Sequence, residues 1–169
     1  YNVTLKNLKY HGTDCGFRIK SSIARKGYIR DILVDGLEMV NVKYPFHLFL
    51  NWNPAYSYCE LPQGYTGEIP PHWKKLLERS GDDVPKTKVS NITIQNVRAV
   101  NEPDYDGISR AFHLEGFADM PMEHIHLKNV SLSCKEYGVI NYVNDIVFEQ
   151  VQVSASGARD EKNDDYDNR

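Results

Sequence analysis

Arg18 and Lys20 stand two apart in the stretch "GTDCGFRIKSS" (12–22), with Phe17 and Ile19 between and beside them. Residues two apart in a strand share a face. Two cations would then lie side by side on one surface, with two apolar side chains beneath. Arginine offers a planar fork that matches a carboxylate, and lysine a movable point charge. The pair reads as a floor built to hold an anionic group, or else as partners for acids on neighbouring strands. Two other segments share the form of "GFRIK" (16–20): "PFHLF" (45–49) and "AFHLE" (111–115), with "GVINY" (138–142) as a fourth. In these, Phe17/Ile19, Phe46/Leu48 and Phe112/Leu114 would point inward. Arg18/Lys20, His47/Phe49 and His113/Glu115 would point outward. Glu115 would share the column of Lys20 two units away, where it either shapes a distant subsite or neutralises the surroundings of Lys20.

These short strands belong to a larger repeat. Five segments align: "YNVTLKNLKY" (1–10), "RDILVDGLEM" (30–39), "SNITIQNVRA" (90–99), "EHIHLKNVSL" (123–132) and "NDIVFEQVQV" (144–153). One apolar column is Val3, Ile32, Ile92, Ile125, Ile146, and the next, two residues on, is Leu5, Val34, Ile94, Leu127, Phe148. The third column, Leu8, Leu37, Val97, Val130, Val151, comes three residues later, so the alternation slips by one. Alternation marks strand, and a slip requires a bend, because a one-residue shift sends every side chain to the other face. The residue before the third column is Asn7, Gly36, Asn96, Asn129 or Gln150. Asparagine and glycine tolerate left-handed backbone angles, and stacked amides can bond from one unit to the next.

The units recur about 29, 60, 33 and 21 residues apart, which marks a solenoid with one interruption. Leucine-rich repeats share the length range but have a steadier period and a tighter leucine pattern. The expected fold is therefore all-β: a right-handed parallel β-helix spanning 1–153, with a loop insertion at 51–88. Residues 154–169 lose apolar periodicity and read as a charged tail or cap remnant. The insertion is rich in proline, glycine and aromatic residues, and "PHWKKLLERSG" within it predicts one short helix with proline near its start. The outward residues of stacked strands make a long surface, the natural binding site of a solenoid.

Composition narrows the function. A net charge of −3 over 169 residues argues against nucleic acid as a partner. No apolar run approaches the roughly 18 residues of a membrane span. Cys15, Cys59 and Cys134 lie far apart without metal-ligand spacing, and one pair could form a disulfide in an oxidising compartment. No metal or other cofactor is expected, since no acid cluster is dense enough for calcium. Asp104 and Asp106 lie among proline and glycine and read as a turn. The sequence opens on a strand already in progress, so it reads as a piece of a longer protein. Val3, Leu5 and Leu8 would form an open first unit, and the chain alone is expected to be unstable without further coils.

Arg-Ile-Lys behind Gly-Thr-Asp-x-Gly, followed by "GYIRDILVDGLEMVNVKYP", resembles the corresponding segment of the polygalacturonases of glycoside hydrolase family 28. "MPMEHIHLKNVSLS" (120–133) is similar to a late coil of the same family. The resemblance covers most of 1–153 and matches the insertion poorly. It implies a secreted or periplasmic pectin-degrading hydrolase that cleaves galacturonate linkages with inversion, with Arg18 and Lys20 contacting a uronate near the scissile bond. It also implies that the catalytic aspartates, in Asn-Thr-Asp and Asp-Asp motifs, lie upstream of this chain, which would leave no catalytic residue within it. The remaining N-terminal coils of the same β-helix would then be its structural partner, and an acidic pectic chain its ligand. A family tyrosine that contacts substrate falls on Trp52, with Tyr56 the nearby tyrosine. These rings, with Tyr58, would either face a sugar or pack under the loop. A loop that walls off the groove would make the enzyme attack chain ends. His47, His113 and Glu115 complete the candidate substrate-binding set. The competing readings are a non-catalytic polysaccharide-binding or structural β-helix, and a polyuronate lyase or epimerase on the same fold.

Overall fold

The computed structural model describes residues 1–23, 25–52, 59–78 and 85–157. Within them the chain is mostly β and forms two parallel sheets. Strands β1 (Val3–His11), β3 (Gly27–Val40), β5 (Thr87–Val100), β7 (Met122–Cys134) and β9 (Val143–Ala155) lie side by side in that order. Strands β2 (Cys15–Lys20), β4 (Tyr44–Phe49), β6 (Arg110–Glu115) and β8 (Glu136–Asn141) make the second sheet, again in order. Parallel strands need a long return connection. Here each sheet supplies it for the other, because the chain visits the two sheets alternately.

The apolar columns explain the register. Val3, Ile32, Ile92, Ile125 and Ile146 are successive partners across the first sheet, as are Leu5, Val34, Ile94, Leu127 and Phe148. Leu8, Leu37, Val97, Val130 and Val151 pair likewise. In the second sheet Phe17, Phe46, Phe112 and Gly138 form one row, and Ile19, Leu48, Leu114 and Ile140 another. These rows join those of the first sheet in one continuous core. A shift of one residue in any pairing would expose an entire apolar row, so burial holds the register.

The bends sit where the alternation slips. Asn7, Gly36, Asn96, Asn129 and Gln150 have φ of 53°, 84°, 56°, 51° and 54°. Asn129 Nδ2 donates to Asn96 Oδ1 at 2.7 Å. Asn96 Nδ2 reaches past Gly36, which has no side chain to accept, to Asp35 Oδ1 at 2.7 Å. At Gly36 itself a Cβ would lie 2.9 Å from Asn7 Oδ1, so the glycine leaves room for its neighbour's amide.

A second left-handed column was not anticipated. Asn2, Asp31, Asn91, His124 and Asp145 precede the first apolar column, with φ between 52° and 58°. Asn91 Nδ2 donates to Asp31 Oδ1 at 3.0 Å within it. Strands β3, β5, β7 and β9 therefore bend twice.

Within the insertion, helix α1 (Pro71–Leu77) forms with proline in its first turn, and Trp73 packs against Tyr65 at a centroid distance of 5.9 Å. The edge strands expose apolar side chains at both ends of the stack. Tyr1 and Val3 do so just before and at the start of β1, and Tyr137, Val139, Tyr142, Val147 and Phe148 at and between β8 and β9. All three cysteines are free, Cys134 within the core. No helix among the described residues is long and apolar enough to cross a membrane.

Candidate functional site

The outer face of the second sheet collects most of the residues singled out from the sequence. Its register makes a grid of four rungs. One column runs Arg18, His47, His113, Val139, and the neighbouring column runs Lys20, Phe49, Glu115, Asn141. A third column, Cys15, Tyr44, then Arg110 and Glu136, completes the grid at the start of each strand. Phe17 and Ile19 lie buried beneath the first rung, which fixes the strand whose other side carries the two cations.

Arg18 and Lys20 are both exposed. Among the described residues neither is ion-paired with an acid. What covers them is Trp52, whose ring lies 3.9 Å from Lys20 Nζ and 5.6 Å from Arg18 Cζ. The Trp52 backbone N–H donates to the Ser21 carbonyl at 3.1 Å, which brings the insertion back onto the end of β2. A cation over an indole face is attracted by the ring quadrupole. Tyr56 and Tyr58 lie outside the described residues.

The second and third rungs are aromatic. The His47 and His113 rings lie 4.7 Å apart, Phe49 and His113 5.0 Å, Tyr44 and His47 5.0 Å, and Tyr44 and His113 5.6 Å. His47 is on the outward side, as expected, yet only 6% exposed, because these rings and Cys15 close around it. Glu115 lies beside His113, with Oε2 3.8 Å from Nε2. Arg110 is tied to the next rung, its Nε donating to Glu136 Oε2 at 2.6 Å. Along the face, β2 therefore carries the two cations, β4 the rings of Tyr44, His47 and Phe49, and β6 Arg110, His113 and Glu115.

Burial sets the ionisation of this cluster. It pushes His47 down to about 3, with His113, Arg18 and Lys43 adding like-charge repulsion. It also lowers His113, with Arg110 contributing. Burial raises Cys15 to about 11, against the opposing pull of Arg18. Cys15 Sγ lies 3.3 Å from His47 Nδ1. With both groups neutral, the thiol is placed to donate to an unprotonated ring nitrogen. A thiolate nucleophile needs a depressed pKa, so this pair is a structural hydrogen bond.

One stability prediction follows. Unfolded His47 takes its proton near the ordinary value of 6.5 and folded His47 only near 3. Between those values the unfolded state holds more protons, so stability falls as pH is lowered. The contribution is fully present above the unfolded value and costs at most about 1.4 kcal/mol per pH unit below it. His113, shifted the same way, steepens the slope. Urea midpoints measured from about pH 7.5 to about pH 4.5 should fall in the wild-type chain and fall less steeply in His47→Gln. Equal slopes would mean that the imidazole titrates freely in the fold.

The third column escaped sequence reading because Gly16 and Pro45 interrupt the alternation. Its signal was an offset: Cys15, Tyr44, Arg110 and Glu136 each lie three residues before a member of the Arg18 column. Asp104 and Asp106 flank a turn, as expected, in which the Tyr105 N–H donates to the Glu102 carbonyl at 3.1 Å. No group of three or more histidine, cysteine or acidic residues among the described residues is arranged to hold a metal ion. In comparisons with protein-family models, curated proteins and solved structures, no significant match to the chain was found.

Proposed function

We propose that the chain forms the C-terminal coils of a right-handed parallel β-helix in a secreted or periplasmic pectin-degrading hydrolase of the polygalacturonase type, with Arg18 and Lys20 holding a uronate carboxylate. Two features support the architecture: the chain alternates between two parallel sheets, and each repeat adds one in-register strand to each. The observation that carries the function is the first rung of the outer face. Two exposed cations share it without acidic partners among the described residues, over a buried apolar base and beneath an indole ring. A hexuronate supplies what such a rung takes: a planar carboxylate for the guanidinium and ammonium, and an apolar ring face for Trp52.

Inverting hydrolysis needs two carboxyl groups about 6.5–9.5 Å apart, with a water between one of them and the sugar. Strands β2 and β4 carry no acid. The proposed carboxylates come from coils that precede this sequence, stacked against β1 and β2. That same lack of acids favours the second reading, a binding β-helix that holds the polysaccharide without cleaving it. Both readings place the anion on Arg18 and Lys20.

Calorimetric titration with a short oligogalacturonate tests the shared claim. Hydrogen bonds to charged groups are worth about 1.5–3 kcal/mol. Arg18→Ala should therefore weaken binding about 10- to 100-fold, and Arg18→Lys less, since charge survives without the fork. Equal affinity in wild type and Arg18→Ala would remove the uronate reading. A reducing-sugar assay of the whole protein then separates hydrolysis from binding alone.

A further inference from the structure

We propose that the anion-binding surface continues past the end of β2: Arg25 and Lys26, in the turn from β2 to β3, hold a second carboxylate of the ligand whose first is held by Arg18 and Lys20. This rests on the uronate reading of the first rung and goes beyond it by naming what the ligand must carry, a short run of free uronates rather than an isolated charge.

The sequence concentrates positive charge here. No acid occurs from Cys15 to Arg30, a stretch that holds Arg18, Lys20, Arg25 and Lys26. Lys20 closes β2 and Gly27 opens β3, so Arg25 and Lys26 occupy the turn between them. Both are exposed. Neither forms an ion pair among the described residues. The next repeat differs. Gly27 and Thr87 are partners across β3 and β5, so Lys26 and Lys86 enter the same column. Lys86 Nζ donates to both carboxylate oxygens of Asp119 at 2.6 Å, and Lys88 pairs with Glu123 at 3.0 Å. The lysines of that repeat are thus neutralised by acids of the one after it, while Arg25 and Lys26 keep their charge for a ligand. The turn that carries them is pinned. The Arg25 N–H donates to the Ser22 carbonyl at 3.1 Å, and the buried Thr87 hydroxyl donates to the Arg25 carbonyl at 2.9 Å. That bond uses the one proton of Thr87 Oγ1, so Ser21 Oγ, 2.7 Å away, donates to it. The Ser21 carbonyl accepts from the Trp52 N–H, so a short chain of bonds joins the indole over Lys20 to the turn. Two residues from Lys20 to Ser22 span at most about 7 Å, and the turn from Ser22 to Arg25 adds about 7 Å more, which keeps the two cation pairs within reach of one short oligosaccharide. Tyr28, just beyond Lys26, is 72% exposed and offers a ring to a sugar face. Cations fixed in advance by the backbone lose less freedom when a ligand binds.

Calorimetry on the whole protein with two galacturonate trimers tests this. One trimer has every carboxylate free, and the other has one free and the rest methyl-esterified. The fully charged trimer should bind about five- to tenfold more tightly, the worth of two further exposed ion pairs. The double substitution Arg25→Gln with Lys26→Gln should shrink that gap to about twofold by weakening the fully charged trimer alone. Lys6→Gln, which removes a charge from the other sheet, should keep the gap. The wild-type comparison stands by itself if a variant fails to fold. Equal binding of the two trimers by wild type overturns the inference, as does a gap that survives the double substitution. A gap that Lys6→Gln closes equally well also overturns it, because general charge attraction would then suffice. If neither trimer binds, or Arg18→Ala leaves the singly charged trimer unaffected, the uronate reading falls first and takes this inference with it.

Discussion

Gly138→Ala costs more than about 3 kcal/mol of stability, while Gly12→Ala costs about 1. Both glycines have positive φ, 83° at Gly138 and 63° at Gly12. Both substitutions therefore carry the strain of placing an L side chain in a left-handed conformation. Their surroundings differ. Nothing lies within 4 Å of a Cβ built at Gly12. A Cβ at Gly138 would overlap the carbonyl oxygen of Phe112, with the carbonyl carbon at 2.9 Å and the amide nitrogen at 3.2 Å. These are backbone atoms of the paired strand, and they move only if β8 leaves β6. Peeling β8 away would uncover Phe112 and Leu114, now 0% and 1% exposed. Relief of the clash thus exchanges one large penalty for another. For a chain of this size, 3 kcal/mol lowers the melting temperature by roughly 6–12 °C. Thermal melts of the two variants beside wild type would check it, and a Gly138→Ala midpoint within about 2 °C of Gly12→Ala would mean that β8 does not pack on β6 as described.

The sequence was most informative where one force acted alone. The apolar columns of the first sheet are legible because their members on the inner strands are buried and every position takes only Val, Ile, Leu or Phe, so type and burial coincide there. The bend at Asn7, Gly36, Asn96, Asn129 and Gln150 was legible because it displaces the alternation. The bend at Asn2, Asp31, Asn91, His124 and Asp145 was not. It lies just before each apolar column, where no hydrophobic phase is broken, and it accepts a histidine and two aspartates, polar types that carry little pattern. On the candidate site, the columns of Arg18 and Lys20 followed from strand parity. The burial of His47 did not, because it depends on Tyr44 and Cys15 reaching the same face across Pro45 and Gly16. The place of Glu115 needed the register as well: parity gave its column, and pairing through Phe49 placed it two strands from Lys20.

Phe112→Ala is expected to cost about 3–5 kcal/mol, against less for Phe17→Ala on the edge strand. The row Phe17, Phe46, Phe112, Gly138 crosses the second sheet, and its members differ in how completely they are enclosed. Phe17 is 6% exposed and has a paired strand on one side only, so a truncation there can partly collapse or hydrate. Phe112 is 0% exposed and lies between β4 and β8. Its ring is stacked with Phe46 at 6.0 Å, and the Tyr137 and Phe148 rings lie 5.6 and 6.1 Å away. Gly138, with no side chain, leaves that far side to those two rings. Removing the Phe112 ring would open a cavity walled by three aromatic groups from three strands, and such walls cannot close together without breaking the pairing of β6. The same strand presents His113 and Glu115 on its outer side, so the cavity would loosen that rung of the face as well. Urea unfolding should show the largest loss in Phe112→Ala and a smaller one in Phe17→Ala, with Phe112→Leu recovering much of what Phe112→Ala loses because leucine refills most of the buried area. A Phe112→Ala variant no less stable than Phe17→Ala would show that the phenylalanine row is not a continuous part of the core.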